Sequence, residues 1–431
     1  MSSPGRRKVS SRPSKLSTRR TPSYTEKAAR TTALLPDYYG GLREKPKLLA
    51  RSCRSSWYRS PVPEPHDTWT WDVPKKMAVI TSEVLKNTIT PELRSNAVKL
   101  LSTMEPQCWI AVDYVRLGQD KKLSDNPAVV LITVERSSNL FLRGDGVCDF
   151  DVEIMEGLPD ECHEPRAEGD YVTVDMKGQR QRKYPRVGSS IGLSRDHEDI
   201  KAGGSGTLGG FIKVDGKVYG LSTHDNLLGK VRREAYPTQA EESVGRNLYA
   251  WVGAKSQLGT VWKSSGIRVG SKTTTGHHHR KNWALIHLEN PTRFTDPDLF
   301  VNKLPYFRRI RFTTYVKDAM TLGLQSNKDI ENMPRYLKRS LTTEEFKHRQ
   351  GLVEKENKQQ VVWKYGRSTE CTYGGSSYIE SSFRDVDGTV SDKWIVLDTP
   401  VYNYNHQRQF SYGSDTGSLV WDPDGFVVGM L

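Results

Sequence analysis

The chain changes its hydrophobic texture near residue 170, and that change sets the architecture it predicts. Before it, longer runs dominate. Met77, Val79, Ile80, Val84 and Leu85 suit an amphipathic helix over Lys75–Asn87. Thr90 followed by Pro91 and Glu92 is a helix start, and Leu93, Val98 and Leu101 continue one apolar face. Cys108–Val115, Ala128–Val134 and Asp149–Met155 read as strands. The middle one is almost wholly apolar and β-branched, as a strand buried on both faces should be. Residues 66–165 therefore predict a small α/β domain.

After residue 170, short β runs alternate with Gly, Asn and Asp turns. They are Tyr171–Met176, Gly210–Val214, Lys217–Ser222, Leu258–Val261, Asn282–Leu288, Val361–Lys364, Trp394–Leu397 and Leu419–Leu431. Many short strands with regular turn signals predict an all-β barrel or sandwich over 170–431. Val214-Asp215-Gly216-Lys217 and Asp422-Pro423-Asp424-Gly425 are hairpin turns. Thr342–Lys358 is highly charged and reads as a helical surface excursion between strands.

Composition changes the picture at the N-terminus. Of 431 residues only 35% are hydrophobic and the mean hydropathy is −0.64, so part of the chain is expected to lack a packed core. Residues 1–32 carry nine basic residues against the single acid Glu26. Residues 1–65 therefore read as a disordered basic tail and linker. The 1–32 run offers a weak nucleic-acid contact or nuclear-import arm as its functional alternative. No apolar leader opens the chain and no run is long enough to span a membrane. The five scattered cysteines contain no C-x-x-C pair, which fits reduced thiols in an intracellular compartment, cytoplasmic or nuclear.

Several motifs in chain order carry a family resemblance. They are Gly188-Ser189-Ser190-Ile191-Gly192, Gly206-Thr207-Leu208-Gly209-Gly210, Tyr219-Gly220-Leu221-Ser222-Thr223-His224, Leu258-Gly259-Thr260-Val261, Trp283-Ala284-Leu285-Ile286, Lys364–Thr369 and Gly413-Ser414-Asp415-Thr416-Gly417-Ser418-Leu419-Val420. Together they resemble trypsin-like serine peptidases, in particular fungal intracellular peptidase-domain proteins. The resemblance implies a small α/β domain followed by a chymotrypsin-like double β-barrel. It also implies further strands beyond Leu431, so the second barrel is expected to be C-terminally incomplete.

The chemistry implied by the resemblance needs a serine nucleophile, a histidine base, an aspartate orienter and backbone N–H donors for the oxyanion. Thr416 stands at the nucleophile position, keeping a hydroxyl but adding a methyl that restricts χ1. Ser414 replaces the glycine that, with residue 416, frames the oxyanion site. Strict spacing puts Asp225 at the histidine position, with His224 one residue early. Two readings of His224 stand: a shifted base, or a turn histidine without a catalytic partner. Asn282 occupies the aspartate position, a change that lowers turnover by about 10⁴ in chymotrypsin-type enzymes. Ser418 matches the family's ordinary second serine, a structural position.

The resemblance thus implies a peptidase scaffold with lost or strongly impaired hydrolysis, open to a peptide or protein ligand. The alternatives are an active endopeptidase using Thr416 and His224, or an interaction module built on the basic tail. No cofactor or metal motif stands out. His277-His278-His279 predicts a polar loop, since three consecutive histidines do not converge on one ion. Gly203-Gly204-Ser205-Gly206 lacks a following lysine and helix and reads as a linker.

Overall fold

The structure is a computed structural model. It describes residues 46–52, 76–81, 83–103, 108–118, 125–135, 151–157, 185–194, 205–228, 249–252, 257–270, 278–288, 302–304, 334–355, 359–385, 387–398 and 410–431. The basic stretch 1–32 and the predicted strand Tyr171–Met176 lie outside them. The described part is β-rich with few helices.

The N-terminal elements are β1 (Leu48–Arg51), β2 (Lys76–Val79), α1 (Glu83–Thr88), α2 (Pro91–Ser102), β3 (Trp109–Gly118), β4 (Ala128–Glu135) and β5 (Asp151–Gly157). Two expectations are corrected here. Leu48–Arg51, inside the stretch read as tail and linker, is a strand paired antiparallel with β5. Lys75–Asn87 is a strand followed by a short helix, because Met77-Ala78-Val79 pairs with Val115-Arg116-Leu117. A short apolar run satisfies either period, and the available partner strand decides.

α2 starts as expected, with Thr90 Oγ1 accepting from Leu93 N at 3.2 Å. Its buried face differs. Leu93 is 40% exposed, while Arg94 is buried and donates to the Glu380 carbonyl at 3.1 Å. Its guanidinium also lies 3.5 Å from the Glu380 carboxylate. A buried cation is tolerated there because a carboxylate and a carbonyl meet it.

The chain continues through β6 (Ser190–Ser194), β7 (Ser205–Thr207), β8 (Gly210–Val214), β9 (Lys217–Ser222), α3 (His224–Leu228), β10 (Tyr249–Val252), β11 (Gln257–Ser264), β12 (Arg268–Val269), β13 (Arg280–Lys281) and β14 (Ala284–Leu288). Seven of these strands form one sheet in the order β7-β6-β10-β11-β14-β9-β8. The segment from β7 to β8 is continuous and pairs with β6 at its start and β9 at its end. Between them Leu208 N donates to Ser189 O at 2.8 Å and Gly209 N to Leu221 O at 2.9 Å. The sheet therefore curls back on itself. Its concave side is filled by Ile191, Leu208, Phe211, Leu227, Leu258 and Ile286.

The remaining elements are α4 (Thr343–Lys355), β15 (Val361–Gly366), β16 (Glu370–Ser376), β17 (Ser381–Arg384), β18 (Val390–Lys393), β19 (Val396–Asp398), β20 (Leu419–Trp421) and β21 (Val427–Met430). Five strands form a second sheet, β19-β16-β15-β20-β21. Trp363, Tyr373 and Trp421 fill one face of it. Phe346 of α4 packs with Val362, Phe410 and Val420 on the other, so this helix is anchored rather than superficial.

The β17–β18 hairpin leaves that sheet and joins the N-terminal one, giving the order β1-β5-β4-β3-β17-β18 with β2 also on β3. Ser382 pairs with Val112 and Phe383 with Ala111. The N-terminal sheet is thus completed by residues more than 260 positions later. Sequence reading had no strand at Ser381–Arg384 or Val390–Lys393, and its strand Trp394–Leu397 falls instead at Val396–Asp398.

Candidate functional site

Of the candidate residues Asp225 and Asn282 meet, and Asn226 of the same helix reaches the Thr416 carbonyl. β9 ends at Ser222 and α3 begins at His224. The register Ser222↔Ala284 carries the residues after β9 alongside those before β14, which brings Asn282 beside Asp225. Asp225 N donates to Asn282 Oδ1 at 3.3 Å, and Asn282 Nδ2 donates to Asp225 Oδ2 at 2.8 Å. The Arg280 guanidinium lies 3.7 Å from the same carboxylate oxygen. Asp225 and Asn282 therefore form a closed pair, with the charge on residue 225 and the amide on residue 282.

His224 is fully buried and turned elsewhere. Its Nδ1 lies 2.6 Å from Ser264 Oγ. That hydroxyl accepts from Gly266 N at 3.1 Å and donates to Trp283 O at 3.1 Å. A hydroxyl has one proton, so with Trp283 receiving it the contact needs the imidazole proton on Nδ1.

Thr416 follows a 3-10 turn, Gly413–Asp415. Its hydroxyl reaches the Gly413 carbonyl at 3.5 Å. Among the described residues no hydrogen bond joins it to His224, Asp225 or Asn282. The Thr416 carbonyl accepts from Thr207 N at 2.9 Å and Asn226 Nδ2 at 2.6 Å. Ser414 O accepts from Thr207 Oγ1 at 2.8 Å. An oxyanion site needs convergent donors, whereas the Gly413 carbonyl, an acceptor, faces the hydroxyl here. Ser418 is buried, its Oγ donating to Asp415 O at 2.5 Å, a structural role.

Two close approaches fix this junction. Gly417 has φ +92, and a Cβ there would stand 2.4 Å from Thr207 O. A Cβ on Gly209 would stand 2.4 Å from Gly417 O. The two backbones cross here only because both residues lack side chains.

Three residues outside the expected set organise the site. Asp415 is fully buried and accepts from Lys364 Nζ at 2.9 Å, Thr369 Oγ1 at 2.7 Å, Ser368 N at 2.7 Å and Tyr412 N at 2.9 Å. Lys364 Nζ also donates to Thr369 Oγ1. Burial pushes the Lys364 ammonium below its usual range, and the Asp415 charge opposes that shift. Asn226 pins α3 to the Thr416 carbonyl. The Lys364 and Asp415 motifs were visible in the sequence, but their pairing across 51 positions was not. Asn226 gave no signal beyond its place next to Asp225.

The histidine tract is paired rather than a free loop. His278 N donates to Asp392 Oδ2 at 3.2 Å and Asp392 N to His278 O at 2.7 Å, while His279 Nε2 lies 4.0 Å from Glu380 Oε1. His277 lies outside the described residues. Among the described residues no group of three or more His, Cys, Asp or Glu side chains could hold a metal ion. None of their helices is long and apolar enough to cross a membrane.

No family model and no curated protein matches this chain.

Proposed function

We propose that this chain is a trypsin-like peptidase-family protein whose peptide-bond hydrolysis is lost or strongly impaired, retained as a scaffold that binds peptide or protein at the former cleft. In this reading the curled seven-stranded sheet and the five-stranded sheet correspond to the two barrels of a chymotrypsin-like fold. The observation that carries it is the Asp225–Asn282 pair. The positions of base and orienter face each other at hydrogen-bond distance, 2.8 Å, yet hold a carboxylate and an amide. Neither can relay a proton as an imidazole–carboxylate pair does.

The active-enzyme alternative requires the Thr416 hydroxyl within about 3 Å of an imidazole. Thr416 instead meets the Gly413 carbonyl, and the His224 Nδ1 meets Ser264. The test is turnover of a fluorogenic peptide library together with labelling by a fluorophosphonate probe. Signals equal to those of Thr416→Ala are expected. Hydrolysis that disappears in Thr416→Ala and in His224→Ala would overturn the proposal.

A further inference from the structure

We propose that the outer face of the curled sheet, centred on Trp262, is a binding surface for single-stranded nucleic acid. Trp262 is the extra residue of a bulge in β11. Val261 pairs with Ile286 and Lys263 with Leu285, leaving Trp262 unopposed. A bulge re-aims a side chain, and this one lays an indole on the outside of the sheet, 36% exposed. Its ring stacks on Tyr219 of β9, with centroids 4.3 Å apart and planes at 15°. Exposed His287 of β14, directly opposite Tyr219, flanks that ring at 5.9 Å. The Lys263 ammonium lies over the indole ring, 4.4 Å from its centroid.

Charge argues for the same partner. β8, β9, β11 and β14 are neighbours in the sheet, and none contains Asp or Glu. On the Trp262 face they carry Lys217 and Lys263, both exposed, whereas Lys213 pairs with Val218 on the other face. Lys217 alternates with Tyr219 and so shares its face. Among the described residues no carboxylate forms an ion pair with Lys217 or Lys263. An aromatic pair with exposed lysines on the same face matches a base that stacks on the indole in place of the Lys263 ammonium, and phosphates that follow. A duplex keeps its bases stacked inside and cannot use the indole.

The test is fluorescence anisotropy of a labelled twelve-nucleotide oligothymidine with the full chain, its Trp262→Ala, Trp262→Phe and Lys217→Glu/Lys263→Glu variants. Trp262→Ala is expected to weaken binding by about tenfold, since stacking contributes about fivefold to a hundredfold per base. Trp262→Phe should retain most of the affinity. The double charge reversal should flatten the dependence on salt, by about 0.7 in the log–log slope for each phosphate no longer neutralised. A labelled duplex of equal length should lose nothing from Trp262→Ala. Thermal melts confirm that each variant folds. Should Trp262→Ala melt like the parent and bind as tightly, or should polyglutamate displace the oligonucleotide mole for mole, the proposal fails. Binding that survives all variants belongs to another basic region, which equally overturns it.

Discussion

At the scale of single residues, the buried polar pairs dominate. Lys364 and Asp415 are each inaccessible to solvent, and their separation is 2.9 Å. Such a pair adds little net stability over an apolar one, but removing one partner leaves the other charge stranded. Lys364→Met should therefore destabilise the protein by about 3–5 kcal/mol in urea unfolding. Adding Asp415→Asn should recover part of that loss, whereas a loss equal to the sum of the two single variants would show the charges act independently. Glu345 offers the complementary surface case. Paired with Arg339 and accepting from Thr342 N, its carboxyl is pulled from 4.5 down to about 2. A depressed carboxylate contributes above its unfolded value and loses that contribution as pH falls through the folded one. The Arg339 pair should therefore weaken between about pH 4.5 and 2, which a carboxyl-resolved NMR titration reads directly. A midpoint near 4.5 would contradict the pairing.

At the scale of elements, turn chemistry was the most legible part of the sequence. Asp215 and Gly216 have φ of 48° and 76°, the two positive values that the Asp-Gly hairpin signal demands. Nothing lies within 4 Å of a Cβ built on Gly216. Gly216→Ala should thus cost about 1 kcal/mol through backbone strain alone, with the melting temperature as readout. Alternating runs such as Lys217–Ser222 and Ala284–Leu288 were equally readable, because one face packs on a core and period two survives. What escaped was the β17–β18 hairpin. Ser381, Ser382 and Ser391 are buried yet polar, so burial left no apolar imprint. Its Asp387-Gly388 turn, with Gly388 at φ +82, was the available signal. The candidate site divides along the same line. Asp225 and Asn282 were singled out by the resemblance and do meet, while the partner of His224 had no sequence signal. Ser264 reaches it because Ala284 of β14 pairs with both Ser264 and Ser222, a tertiary register that spacing does not encode.

At the scale of the whole described region, that hairpin ties the N-terminal sheet to the rest. β17 hydrogen-bonds to β3, and Arg280 spans from Asp225 at 3.7 Å to Asp385, just past β17, at 3.3 Å. Arg94 of α2 meets Glu380, which His279 approaches from the other side at 4.0 Å. These contacts join the N-terminal sheet, the curled sheet and the site in one chain of buried or half-buried groups. An autonomous N-terminal domain would unfold separately. This arrangement instead predicts one cooperative transition, because melting β3 strips β17 of its ladder and leaves Glu380 facing water without Arg94. Near-ultraviolet circular dichroism and far-ultraviolet signals should then coincide through a denaturant titration. Arg94→Met should shift both curves together, by about 3 kcal/mol for a buried carboxylate that loses its arginine. Two resolved transitions, with only the first moved by Arg94→Met, would mean that the shared hairpin transmits no stability between the sheets.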